Sequence, residues 1–118
     1  MDIIELHTSA DGLLKFVVCR DAGVICLGFV GFGWHTHPEL LAGDGVSEDA
    51  AVRQFVDELL AGRVVIAVAH VGGAVRDVWV TDDIESDLKY KQDDVTIEHR
   101  YWDGSKAAYA LQRLPQTD

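Results

Sequence analysis

Between residues 3 and 32 three apolar runs are separated only by two short turns, and that spacing leaves little choice of topology. A connection of three or four residues can reverse a strand beside its predecessor. It cannot carry the chain across to a parallel neighbour, which takes a dozen residues or more. The runs are Ile3 to Thr8, Leu13 to Arg20 and Val24 to Phe32, with turns at Ser9-Ala-Asp-Gly12 and Asp21-Ala-Gly23. Glycine closes each turn, where a positive φ costs it nothing. Gly28 and Gly31 interrupt the third run, which predicts a bulge or a close backbone approach.

The middle of the chain supplies one clear helix. Ser47 is a good N-cap, and Glu48 and Asp49 place anions in the first turn, where the helix dipole favours them. Val52, Phe55, Val56, Leu59 and Leu60 form one apolar stripe at helical spacing, and Gly62 follows as the C′ residue. Arg53 and Asp57 can pair across one turn.

Arg63 to Val71 then reads as a central strand covered on both sides. Gly72-Gly73 is a two-residue hairpin signal, and Ala74 to Thr81 returns. Residues 82 to 94 are polar and acidic, with Ile84 and Leu88 spaced for one helical turn. Val95 to Trp102 alternates, placing Thr96, Glu98, Arg100 and Trp102 on one face and leaving Trp102 as an exposed aromatic beside charges. Asp103-Gly104 turns the chain again, 105–114 fits a strand or a short helix, and 113–118 reads as a loose tail. The order β-β-β-α-β-β-β predicts an α+β fold, a mainly antiparallel sheet with one main helix packed on one face. A length of 118 residues suits one domain spanning 1–118, and 48% hydrophobic residues suffice for a core.

Charge narrows the function. Twenty Asp and Glu against ten Lys and Arg leave a net charge of −10, which disfavours direct nucleic-acid binding. The acids are unevenly placed. No Lys or Arg occurs between Arg20 and Arg53, a window holding Asp21, Glu39, Asp44, Glu48 and Asp49. A second group comprises Asp77, Asp82, Asp83, Glu85, Asp87, Asp93 and Asp94. Such charge serves solubility, or it steers a basic protein partner onto the surface. The longest apolar run, Val64 to Ala69, is far too short for a membrane span. Met1-Asp-Ile-Ile-Glu lacks the basic start of a signal peptide, so a cytoplasmic location is expected. A three-residue turn at 21–23 would put Cys19 opposite Ile25 and Cys26 opposite Val18, with the two thiols on opposite sheet faces as reduced, apolar residues.

One loop has chemical character. In Trp34-His-Thr-His-Pro-Glu39, Pro38 favours an extended backbone at His37, so His35 and His37 point to the same side and can share a zinc ion. A third ligand would have to come from His7, His70, His99, Asp44 or Asp49. His35-Thr-His-Pro38 resembles the first half of the JAMM metalloprotease signature, which implies a metal-dependent hydrolase. The second half departs from it: Ser47 lies too far downstream, Ala50 stands where that signature needs an acid, and Glu5 is the sole glutamate upstream. The His-x-His pattern of cupins also fails, because Glu39 follows His37 by two residues only.

In size, acidity and strand–helix order the chain is similar to the immunity proteins of bacterial polymorphic toxin systems. Gly31-Phe-Gly-Trp-His-Thr-His37, Asp77-Val-Trp-Val-Thr-Asp-Asp83 and Arg100-Tyr-Trp-Asp-Gly104 carry the likeness. It implies a non-catalytic inhibitor, without cofactor, that covers a basic cognate toxin. Trp34, His35, His37, Glu39, Asp44, Asp82, Asp83, Glu85, Asp87 and Trp102 are then the candidate contact residues. A zinc hydrolase and an accessory domain remain the alternatives.

Overall fold

The computed structural model describes residues 1–107. The strands are β1 (Asp2–Thr8), β2 (Lys15–Asp21), β3 (Val24–Phe29), β4 (His35–Thr36), β5 (Val65–Val71), β6 (Ala74–Thr81) and β7 (Thr96–Arg100). The helices are α1 (Pro38–Leu41), α2 (Glu48–Leu60) and α3 (Ile84–Tyr90). The fold is α+β and, among the described residues, every strand pairing is antiparallel, as the hairpin spacing predicts.

The expected single sheet is two. One has four strands in the order β1-β2-β3-β4, and the other has three in the order β6-β5-β7. The division follows from competition for edges. β4 takes the free edge of β3, and β6 and β7 take both edges of β5, so no edge remains to join β3 to β5.

The two sheets share a core with α2. Phe16, Val18, Leu27 and Phe29 enter it from the first sheet, Ile66, Val68 and Val78 from the second, and Val56 and Leu59 from the helix. Directly opposite residues share a sheet face. The register Phe16↔Phe29 and Val18↔Leu27 therefore puts Val17, Cys19, Cys26 and Gly28 on the outward face of the first sheet. In the second, Val68 opposes Val78 on the core face, while Ala67 opposes both Trp79 and His99 on the other. α3 lies over that other face: His99 Nε2 and Asp87 Oδ2 are 2.9 Å apart, and Trp79 Nε1 donates to Asp87 Oδ1 at 3.4 Å.

α2 starts and stops as its sequence dictates. Ser47 Oγ accepts from Ala50 N at 3.1 Å, and Gly62 leaves the helix at φ 78°. Arg53 reaches Asp57 at 3.1 Å and also Glu5 on β1 at 2.9 Å. Gly72-Gly73 makes the predicted two-residue turn between Val71 and Ala74, and β5 is buried from Val65 to Ala69 as a central strand should be.

Several boundaries differ. β2 starts at Lys15 because Ser9 and Asp11 hold residues 13 and 14 in a turn: Asp11 Oδ1 accepts from Leu13 N and Ser9 Oγ from Leu14 N. β3 stops at Phe29 because Gly31 turns the chain at φ 90°. The long loop contains β4 and then α1, which Pro38 starts at a position where its missing N–H costs nothing. The acidic connection is α3, capped by Asp83, whose side chain accepts from Ser86 N at 3.0 Å.

Trp102 is 9% exposed and belongs to the core, contrary to its expected exposure. The reason is Arg100, which is not a surface charge. It is 2% exposed, lies on the core face opposite Ile66, and donates to Asp11 Oδ2 at 2.6 Å and to the carbonyls of Tyr101 and Trp102 at 3.1 Å each.

Of the ambiguous segment 105–114 only 105–107 is described, where Lys106 bridges back to Arg100; the tail at 113–118 lies outside the described residues. Among the described residues no helix is long and apolar enough to cross a membrane.

Candidate functional site

The His-x-His loop becomes a sheet edge. Gly28 pairs with His35 and Leu27 with Thr36, so buried Thr36 points inward and His35 points outward. Alternation puts His37 on the same side as His35, as the sequence implies, with ring centroids 5.1 Å apart at 78°. Each ring is anchored. His35 Nδ1 donates to the Gly33 carbonyl and His37 Nδ1 to the Ile25 carbonyl, both at 3.0 Å. In a neutral ring so anchored, Nε2 is the acceptor nitrogen.

Gly28 is the residue that lets this edge form. A β-carbon there would stand 2.8 Å from the Trp34 carbonyl oxygen, which is backbone and cannot step aside alone. We expect Gly28→Ala to push β4 off β3 and to cost about 1–3 kcal/mol, as overpacking does. Urea denaturation measures the loss. Amide shifts concentrated at residues 34–37 would locate it, and a neutral substitution with unchanged spectra would contradict the close approach.

The cysteines correct the sequence expectation. Asp21 pairs with Val24, so the turn is two residues long, with Ala22 at φ 51° and Gly23 at φ 82°. The register moves by one, and Cys19 stands directly opposite Cys26 on one face. Alanine at a positive φ costs about 1–2 kcal/mol, which is why a two-residue turn is hard to foresee at Ala22. Both thiols are free, and Cys19 Sγ donates to the Cys26 carbonyl at 3.5 Å. Burial, and then the neighbouring Cys19, push the Cys26 thiol up from its ordinary pKa. Cys19, Cys26, Trp34, His35 and His37 line one open cavity of about 380 Å³, with Asp21 and Val24 at its side.

The remaining candidate residues separate. Trp34 is half-buried against Phe29, with ring centroids 5.8 Å apart. Glu39 is exposed on α1, and Asp44 is exposed in the connection to α2. Asp82, Asp83 and Glu85 are exposed at the start of α3, on the far side of the second sheet from the shared core. Asp87 is engaged by His99 and Trp79, and Trp102 is buried. The two acidic groups therefore do not form one patch.

The third-ligand candidates are also dispersed. His7 bonds Glu5 at 2.9 Å, His70 faces Glu98 at 3.6 Å, and His99 is held by Asp87. Among the described residues no three His, Cys, Asp or Glu side chains come close enough to hold a metal ion.

The sequence reading missed the apolar character of the outward face. Ile3 pairs with Cys19 and Leu6 with Val17, so both lie on it, 57% and 51% exposed, together with Val24 at 53%. The signal was present in β1, where Ile3, Ile4 and Leu6 supply apolar residues to both faces of an edge strand.

Compared with known proteins, the chain matches no family model, no curated protein and no solved structure.

Proposed function

We propose that this chain is a non-catalytic binding protein, an immunity-type inhibitor acting in the cytoplasm, which covers a basic protein such as a cognate toxin. The outward face of the four-stranded sheet carries the reading. Ile3, Leu6 and Val24 stand open to solvent there, beside the cavity that Trp34, His35 and His37 line. Exposed apolar side chains gathered on one sheet face, with an aromatic at its edge, suit an interaction surface, because exposing them to water is unfavourable unless a partner removes them.

Charge supplies the chemistry of the partner. Asp21 is exposed at the hairpin tip next to this face, and Glu39 follows His37. The net charge of −10 attracts a basic surface and repels a second copy of the chain. The acids of α3 act only through this general field, since they lie on the far side of the second sheet.

Co-purification with the product of the adjacent gene, followed by titration calorimetry, tests the proposal. A one-to-one complex is expected, with affinity falling as salt rises. Leu6→Asp should weaken it at least tenfold, whereas Asp82→Asn with Glu85→Gln should leave it within about twofold at physiological salt. A basic neighbour that does not bind overturns the reading. So does a homodimer that Leu6→Asp dissolves, because the face then belongs to a second copy.

A further inference from the structure

The directly opposed cysteines on this face have chemistry that partner binding does not use. We infer that Cys19 and Cys26 form a two-thiolate site for a soft monovalent metal ion, of which Cu(I) is the physiological example.

Spacing favours a bridging ion over a disulfide. Asp21↔Val24 closes a two-residue turn and is a hydrogen-bonded pair, so alternation makes Arg20↔Ile25 a non-bonded pair and Cys19↔Cys26 a bonded one. Bonded pairs are the wider kind, with α-carbons about 5.5 Å apart and β-carbons near 5 Å. That α-carbon spacing also suits a disulfide, but a disulfide wants β-carbons about 3.8 Å apart, so the β-carbons make the distinction. Two metal–thiolate bonds of about 2.3 Å laid end to end separate the sulfurs by roughly 4.6 Å, which the wider pair accommodates with the strands unmoved.

The number of donors selects the ion. Zinc needs three or four ligands, and no three converge among the described residues. A soft d¹⁰ monovalent ion is satisfied by two thiolates in a line, and thiolates prefer it to harder ions. Access exists: Cys19 is 6% exposed and Cys26 half-buried, yet both line the open cavity. Binding exchanges the two thiol protons, released to water, for one ion, and no electron moves.

Anaerobic titration of the reduced chain with Cu(I), presented on a chromophoric chelator, should withdraw one ion per chain. Ag(I) should do the same. Cys19→Ser and Cys26→Ser should each lower the affinity at least a hundredfold, whereas His35→Ala with His37→Ala should keep the stoichiometry. In the unaltered chain, Ag(I) should shift the Cβ resonances of Cys19 and Cys26 together, a readout independent of whether any variant folds. No ion withdrawn, one ion bridging two chains, shifts confined to the histidines, or uptake that survives the loss of either thiol overturns the site.

Discussion

Phe16→Ala is expected to lower the unfolding free energy by about 3–5 kcal/mol, the range for emptying a buried aromatic site. Phe16 is fully buried on β2. Its ring meets Phe29 edge-on at 5.3 Å and Phe55 of α2 at 6.0 Å, so one side chain joins the first sheet to the helix. Alanine removes the transfer energy and leaves a hole between elements that cannot close independently, since β2 is paired on both edges. Domains of this size are stable by about 5–15 kcal/mol in all, so the variant should lie near the limit of folding. Urea denaturation followed by far-UV circular dichroism measures the change. Phe55→Ala should cost less, because Phe55 is only partly buried. A loss below about 1.5 kcal/mol at Phe16 would mean that the aromatic cluster does not tie sheet to helix.

What could be read in advance depended on whether a feature is decided locally. Gly72-Gly73 fixes its own turn, because two glycines admit the positive φ angles of 59° and 83° that a two-residue hairpin needs. α2 is equally self-contained: Ser47, the stripe from Val52 to Leu60 and Gly62 define its ends and its buried side. Ala22 shows the limit, since the fold forces it to φ 51° against its preference, and the register of both cysteines turns on that one residue. The division into two sheets is decided by edges meeting across the whole chain, which no local window records. The site was legible as residue types and not as a place. His35 and His37 were rightly put on one side, but the exposed apolar residues beside them become a face only once β1 pairs with β2. Trp102 failed for the longest-range reason of all, the partner of Arg100 lying 89 positions away.

That partner, Asp11, gives the second large effect. Asp11→Asn keeps an Oδ1 that can accept from Leu13 N and from the Ser9 hydroxyl, yet it removes the charge that faces Arg100. Breaking a buried ion pair from one side costs about 3–5 kcal/mol, because the other charge is stranded. The Arg100 side chain is 3% exposed and cannot reach water, but Asp11 is 45% exposed and partly screened, so about 2–3 kcal/mol is expected. Arg100→Met should cost less, about 1–2 kcal/mol. It strands no buried charge, retains an apolar stem, and deprives of a donor the Tyr101 and Trp102 carbonyls and the half-exposed Asp11 carboxylate, which water can serve instead. Combining the two changes should cost little more than Arg100→Met alone, since Asp11 without arginine is simply a half-exposed carboxylate. The pair also fixes a pH dependence. Arg100 first, and then the Ser9 hydroxyl, hold the Asp11 carboxyl well below its ordinary 3.8. A depressed folded-state value means that the stabilisation is complete above that ordinary value and is lost as pH falls from it towards the folded one. The gap between the unaltered chain and Asp11→Asn should therefore be full at neutral pH and narrow below about pH 4. If the two substitutions cost the same, or if the gap widens in acid, the arginine is not a buried charge that depends on Asp11.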